Sequence, residues 1–157
     1  MKNSFKDLAA FQRAMDLMVV IYEITARFPA GERFGLVSQL RRAAVSVPSE
    51  IAEGQGRLTF GEWRQRLSHA RGSLFEIEAQ LLAAKRLHFV GDEELEISDR
   101  ALRRTGNALV GLIRWVMRKE RSTSEPRRNL GTAEPYERSS ANTRSTSVGR
   151  GATKTCP

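Results

Sequence analysis

The sequence predicts an all-α protein: an up-down-up-down four-helix bundle over residues 1–121, then a disordered, basic, Ser/Thr-rich tail over 122–157. Three observations carry this. Four segments repeat apolar residues at alternating spacings of three and four, as a helix with a buried stripe requires. Short turns carrying Pro, Gly or Asp join them, which makes successive helices antiparallel neighbours. From residue 122 onward serine and threonine make up 12 of 36 residues. That segment has too little apolar surface to offset the entropy of ordering it, roughly 1–2 kcal/mol per residue.

Helix one is expected over 5–27, ended by Phe28-Pro29 and a turn at Ala30-Gly31. It carries two apolar stripes, one through Leu8, Phe11, Met15, Met18 and Tyr22, the other through Ala10, Ala14, Leu17, Ile21 and Ile24. One stripe suffices for a bundle core. The second fits either a central position within its own bundle or a surface that another copy of the chain covers.

Helix two should begin near Gly35-Leu36 and carry Leu36, Leu40, Ala43, Val47, Ile51 and Gly54 inward. Pro48 lacks an amide hydrogen and crowds the carbonyl of Ala44, so the helix bends or restarts there. The apolar phase crosses Pro48 intact, which favours one bent helix. Ala43, Ala44, Ser46, Ser49 and Ala52 leave little bulk around it, so a neighbour can approach closely. Gly54 and Gly56 free the backbone for the exit.

Thr59 with Glu62 three residues later is a capping box, so helix three starts there. Phe60, Trp63, Leu67, Ala70, Leu74, Ile77, Leu81 and Ala84 then form a sustained heptad up to Lys85-Arg86, which predicts axes inclined by about 20°. Ala70, Gly72 and Ser73 form a low-profile patch expected to meet the small patch of helix two. After a short connection through residues 87–91, Asp92 is expected to cap helix four. Glu93, Glu94 and Glu96 favour its positive N-terminal end, and Arg118, Lys119 and Arg121 its C-terminal end. Leu95, Leu102, Leu109, Leu112 or Ile113, and Val116 supply its buried face.

The formal net charge of +8 divides evenly, because residues 121–157 hold seven cationic and three acidic side chains and the remainder keeps +4. A mildly basic body admits nucleic acid as a partner without demanding it. The single cysteine, Cys156, excludes an intramolecular disulfide and a cysteine metal cluster, and suits a reducing compartment. The N-terminal residues lack the apolar core of a signal peptide, and no apolar run approaches the roughly 20 residues of a membrane span. A cytoplasmic protein with no membrane partner is expected.

Catalytic constellations are absent from the pattern. Arg66 and Lys85 stand three residues before His69 and His88, where a di-iron bundle needs glutamates, so no metal site is expected. Glu76 and Glu78 are two apart and point to different helix faces. Ser46 and Ser73 have no base in sequence reach and read as helix-packing serines. The segment Gly54-Gln55-Gly56-Arg57 precedes a helix but lacks the lysine and glycine spacing of a phosphate-binding loop. Arg57 and free backbone N–H groups near Thr59 could still hold one phosphate. No enzyme activity and no cofactor are expected.

The arginines remain. Arg41 and Arg42 lie on helix two, Arg64, Arg66 and Arg71 on helix three, and Arg100, Arg103 and Arg104 on helix four. Arg64 and Arg71 share one face; Arg100 and Arg104 share another. Either these form a basic face that tracks phosphates or they are an ion-paired solvated surface. The nucleic-acid-binding set expected under the first reading is Arg41, Arg42, Arg57, Arg64, Arg71, Arg100 and Arg104. Aromatic residues fall mainly on core stripes, so binding would be backbone-directed and salt-sensitive.

The segments FKDLAAFQRAMDLMVVIYEIT, FPAGERFGLVSQLRRAAVSVPSEIAEGQGR and ARGSLFEIEAQLLAAKRL resemble the bacterial four-helix bundle protein family, whose members include proteins encoded in intervening sequences of 23S ribosomal RNA genes. The resemblance runs from about Phe5 to Lys119. It implies a bundle that assembles as a homopentamer, which gives the second stripe of helix one a partner. Related accessory proteins of diversity-generating retroelements imply nucleic-acid binding beside a reverse transcriptase. This chain departs from the family in carrying Glu50 where asparagine usually precedes Ile-Ala-Glu-Gly, which adds negative charge near Arg41 and Arg42. The function expected is a non-enzymatic homo-oligomer that binds RNA or DNA backbone; the alternative is a scaffold for a protein partner such as a reverse transcriptase.

Overall fold

The computed structural model describes residues 4–124. The expected tail lies outside these residues except for its first three positions, which continue the last helix. Four helices run in chain order: α1 (Ala9–Thr25), α2 (Leu36–Gln55), α3 (Phe60–Arg86) and α4 (Asp92–Ser124). Each packs on two others, α1 on α2 and α4, and α3 on α2 and α4, while the diagonal pairs do not meet among the described residues. Short connections then alternate the helix directions, giving the up-down-up-down bundle. No helix among the described residues is long and apolar enough to cross a membrane.

The first helix starts later than its periodicity suggests. Ser4 and Asp7 form a capping box around a single 3-10 turn, Phe5–Asp7, and Leu8 is extended before α1 begins. Phe5 folds back edge-on to Phe11 with ring centroids 5.0 Å apart. Of the two stripes, Ala10, Ala14, Leu17, Ile21 and Ile24 are buried. In the other, Leu8, Phe11, Met15 and Met18 are half-buried, and Val19 beside it and Tyr22 are 49% and 41% exposed.

Helix α2 continues unbroken through Pro48, which is itself buried. It forms its broadest contact with α3. There the Ser73 hydroxyl donates to that of Ser46 at 3.0 Å, and Ala43, Ala44 and Ala70 are buried beside it. Gly72 does not belong to this contact. It is exposed, and a Cβ built on it meets nothing within 4 Å. The helix turns Gly72 outward because Leu67, Ala70, Leu74 and Ile77 claim the inner face. Gly72→Ala should therefore stabilise the bundle by roughly 0.5–1 kcal/mol through helix propensity, read as a rise in Tm. The close approach is at Gly54, where a Cβ would lie 2.5 Å from Trp63 Cδ1.

The Thr59–Glu62 capping box opens α3 as expected: Glu62 N–H donates to Thr59 Oγ1 at 3.2 Å, and Thr59 N–H to Glu62 Oε2 at 3.2 Å. At its other end His88 takes φ 61°, the left-handed turn that closes a helix, and Phe89 N–H reaches back to the Ala84 carbonyl at 2.9 Å. Phe89 then packs on Phe28 at 5.7 Å, tying the two connections at that end together. Asp92 is the first residue of α4 rather than its cap. Glu94 caps the end instead, accepting from Gly91 N–H at 2.8 Å. The Asp92 carboxylate lies 2.7 Å from Lys85 Nζ, whose hydrogen bond and charge hold it below the usual carboxylate range. That contact favours the fold above the ordinary aspartate pKa and is lost as pH falls through the depressed value.

Candidate nucleic-acid interface

The expected arginines divide between two sides of the bundle, because α2 and α4 stand on a diagonal. On the α2 side each is engaged. Arg41 is half-buried, its Nε donating to Thr25 Oγ1 at 2.8 Å and its guanidinium 4.7 Å from the Tyr22 ring centroid. It works as a strut between α1 and α2. Arg42 bridges to Glu76 on α3 at 3.2 Å and to Gln39 at 2.8 Å. Arg57 pairs with Glu53, and the capping box occupies the Thr59 and Glu62 amides. Glu50 meets neither Arg41 nor Arg42. Its carboxylate lies 3.4 Å from Arg66 and 3.8 Å from His69, both on α3.

The α4 side differs. Arg64 spans to Glu120 at 3.0 Å, and Arg71 lies over the exposed Phe75 ring at 5.5 Å. Arg71 and Arg103 line one open groove between α3 and α4. Beyond them, the outward face of α4 presents Arg100, Arg104, Asn107, Gly111, Arg114, Arg118 and Arg121 at successive spacings of 4-3-4-3-4-3, with Arg103 beside Arg100. All eight are exposed. The reason is positional: Ser98, Thr105, Leu109 and Val116 are buried on the opposite side, so a 3.6-residue repeat turns this seam to solvent. The buried Thr105 hydroxyl marks the inner face, its one proton within reach of the Arg13 carbonyl of α1 at 3.0 Å and of the Ala101 carbonyl of its own helix at 2.9 Å.

Two of these arginines have intrahelical acidic partners one turn back, Arg100 with Glu96 at 3.5 Å and Arg103 with Asp99. Exposed pairs of this kind contribute about 0.3–0.5 kcal/mol and yield readily to a phosphate. Arg104, Arg114 and Arg118 have no carboxylate partner among the described residues. The seam runs 21 residue steps from Arg100 to Arg121, about 32 Å of helix at 1.5 Å per step. Such a surface is suited to anions by charge and by bidentate N–H donation.

From the expected set the structure places Arg64 and Arg71 along the α3–α4 groove, Arg100 and Arg104 along the α1–α4 groove, and Arg41, Arg42 and Arg57 on the α2 side. Arg114, Arg118 and Arg121, which extend the outward seam of α4, are legible as a polar heptad running out of phase with the buried one. Their position near the helix C-terminus invites a reading through the helix dipole alone, which conceals the seam.

Among curated proteins, none matches the chain in sequence. A family model does, and it covers residues 6–111, which hold the first three helices and most of the fourth. The match takes in well over half of the chain together with the bundle just described, and the protein belongs to the 23S rRNA-intervening sequence protein family.

Proposed function

We propose that the protein is a non-catalytic, cytoplasmic RNA-binding bundle that acts as a ring of identical subunits. The observation that carries the binding is the six-arginine seam of α4, three members of which no carboxylate neutralises among the described residues. The family's name supports RNA as the polyanion, since it refers to 23S rRNA. Binding through phosphates predicts a linear fall of log affinity with log salt, of slope about −5 if six contacts form on a duplex. A fluorescence-anisotropy titration of RNA between 50 and 300 mM salt measures it; no binding at the lowest salt overturns the proposal.

Self-association draws on two apolar faces of one subunit. Val19 and Tyr22 on α1 stand open, and so do Phe75 and Leu82 on α3, 56% and 51% exposed and seven residues apart. Since α1 and α3 are diagonal, a contact of the α1 face with the α3 face of the next copy is head-to-tail, the arrangement that closes rings. Five copies is the number the family resemblance implies. Sedimentation should show an oligomer for the native chain and a smaller species for Phe75→Glu. A native monomer at micromolar concentration refutes the ring. The other reading, a scaffold for a protein partner such as a reverse transcriptase, uses the same exposed Phe75 and Leu82 and predicts no RNA retention at any salt.

A further inference from the structure

We infer that the RNA element this protein grips is an A-form duplex, met across its shallow minor groove. The inference rests on the RNA-binding reading above and goes further by naming the shape recognised. The seam is not evenly charged. Arg100, Arg103 and Arg104 form one cluster and Arg114, Arg118 and Arg121 another. Arg104 and Arg114 stand ten positions apart, about 15 Å of helix, and the exposed residues between them, Asn107, Val110 and Gly111, are all uncharged.

A single strand offers an unbroken line of phosphates, and a gap in the middle of the seam would waste those beneath it. A duplex offers two backbones separated by a groove, which matches two cationic clusters separated by a neutral saddle. Stacking points the same way. Proteins that hold single strands lay bases on open aromatic faces, yet the seam itself carries no aromatic residue. Of the rings flanking it, Trp115 packs edge-on against Phe60 and Trp63 with Lys119 over it, and the exposed Phe75 of α3 carries Arg71 over its face.

Groove depth then selects the duplex. Helix α4 is flanked by α1 and α3, and its uncharged middle offers Asn107 as the one exposed base-reading side chain for a B-form major groove about 8.5 Å deep. The B-form minor groove, about 6 Å wide, is too narrow for the gap between the clusters. An A-form minor groove is wide and shallow and lined by 2′-hydroxyls. Gly111 is flat, and a Cβ there would meet nothing within 4 Å. Beside it the exposed Asn107 amide can donate to or accept from a 2′-hydroxyl. The second cluster lies beyond the residues that the family model covers.

The test compares an RNA duplex of about 20 base pairs, the DNA duplex of the same sequence and the single RNA strand, by anisotropy with the full chain at one salt concentration. The RNA duplex should bind at least about tenfold tighter than either other probe, and Gly111→Leu should weaken duplex binding roughly tenfold, the equivalent of one phosphate contact at 0.1 M salt, while leaving the single strand unchanged. Leucine is the better helix former and enters open space, so circular dichroism should show the fold retained. Equal or tighter binding of DNA or of the single strand, or no effect of Gly111→Leu on the duplex, overturns the assignment while phosphate binding stands. No binding of any probe overturns both readings.

Discussion

Replacing Arg104, Arg114 and Arg118 together with alanine should lower RNA affinity about a thousandfold at 0.1 M salt and reduce the salt slope by about 3, since each phosphate contact contributes close to one decade there through counterion release. These three are the telling choice because none gives up a carboxylate partner among the described residues when truncated. Alanine also favours an exposed helix position, so Tm should hold or rise slightly, and lost binding cannot be attributed to lost fold. The control is Arg42→Ala with Arg57→Ala on α2. Both are exposed and ion-paired to Glu76 and Glu53, on the far side of the bundle. Their joint removal should change RNA affinity less than threefold, the loss of long-range attraction screened beyond about 10 Å. Equal effects of the two variants would mean that net charge rather than the seam governs binding.

The arginines show where sequence reading stops. Spacing along one helix is legible: Arg100 and Arg104 share a face because they are four apart, and the buried heptad of α3 follows from the same arithmetic. Pairing between helices is not. Arg42 meets Glu76 across 34 residues of chain and Arg64 meets Glu120 across 56, and no local rule distinguishes these from an unpaired arginine. Glu50 illustrates the same limit, since proximity in sequence suggests Arg41 and Arg42, whereas helix geometry turns it to Arg66 and His69 on α3.

Helix boundaries divide similarly. The Thr59–Glu62 box fixes its terminus because both partners lie within one turn. A similar Ser4–Asp7 box marks only a one-turn segment before Leu8 breaks into extended backbone. Two glycines, Gly54 on α2 and Gly72 on α3, are a further case. Gly54 and Gly72 look alike as low-profile positions, and only the packed bundle shows that one meets an indole and the other meets solvent.

Gly54 is accordingly the position at which one added carbon should cost most. Alanine there gains about 1 kcal/mol of helix propensity, but its Cβ would lie 2.5 Å from Trp63 Cδ1, 3.0 Å from Nε1 and 3.1 Å from Arg66 Cβ. The indole has nowhere to retreat: Trp63 is 9% exposed, stacked near Phe60 at 6.3 Å and edge-on to Trp115 at 5.7 Å. Overpacking of this kind costs typically 1–3 kcal/mol, and with no room for the indole to yield the upper end applies, so Gly54→Ala should lose up to about 2 kcal/mol net. Gly54→Leu, with three more carbons in the same space, should lower Tm by more than about 15 °C at roughly 4–5 °C per kcal/mol for a domain of this size. Gly111→Ala, whose Cβ meets nothing within 4 Å, should raise Tm instead. Thermal melts followed by circular dichroism decide the matter, and an unchanged or higher Tm for both Gly54 variants would refute the close approach. The strain also reaches the binding surface. Trp115 rests on Trp63 and lies between Arg114 and Arg118 on α4. Displacing Trp63 therefore loosens the end of α4 that carries the second arginine cluster. Gly54→Ala should weaken RNA binding severalfold at a temperature where the bundle is still folded, although Gly54 itself is buried and touches no phosphate.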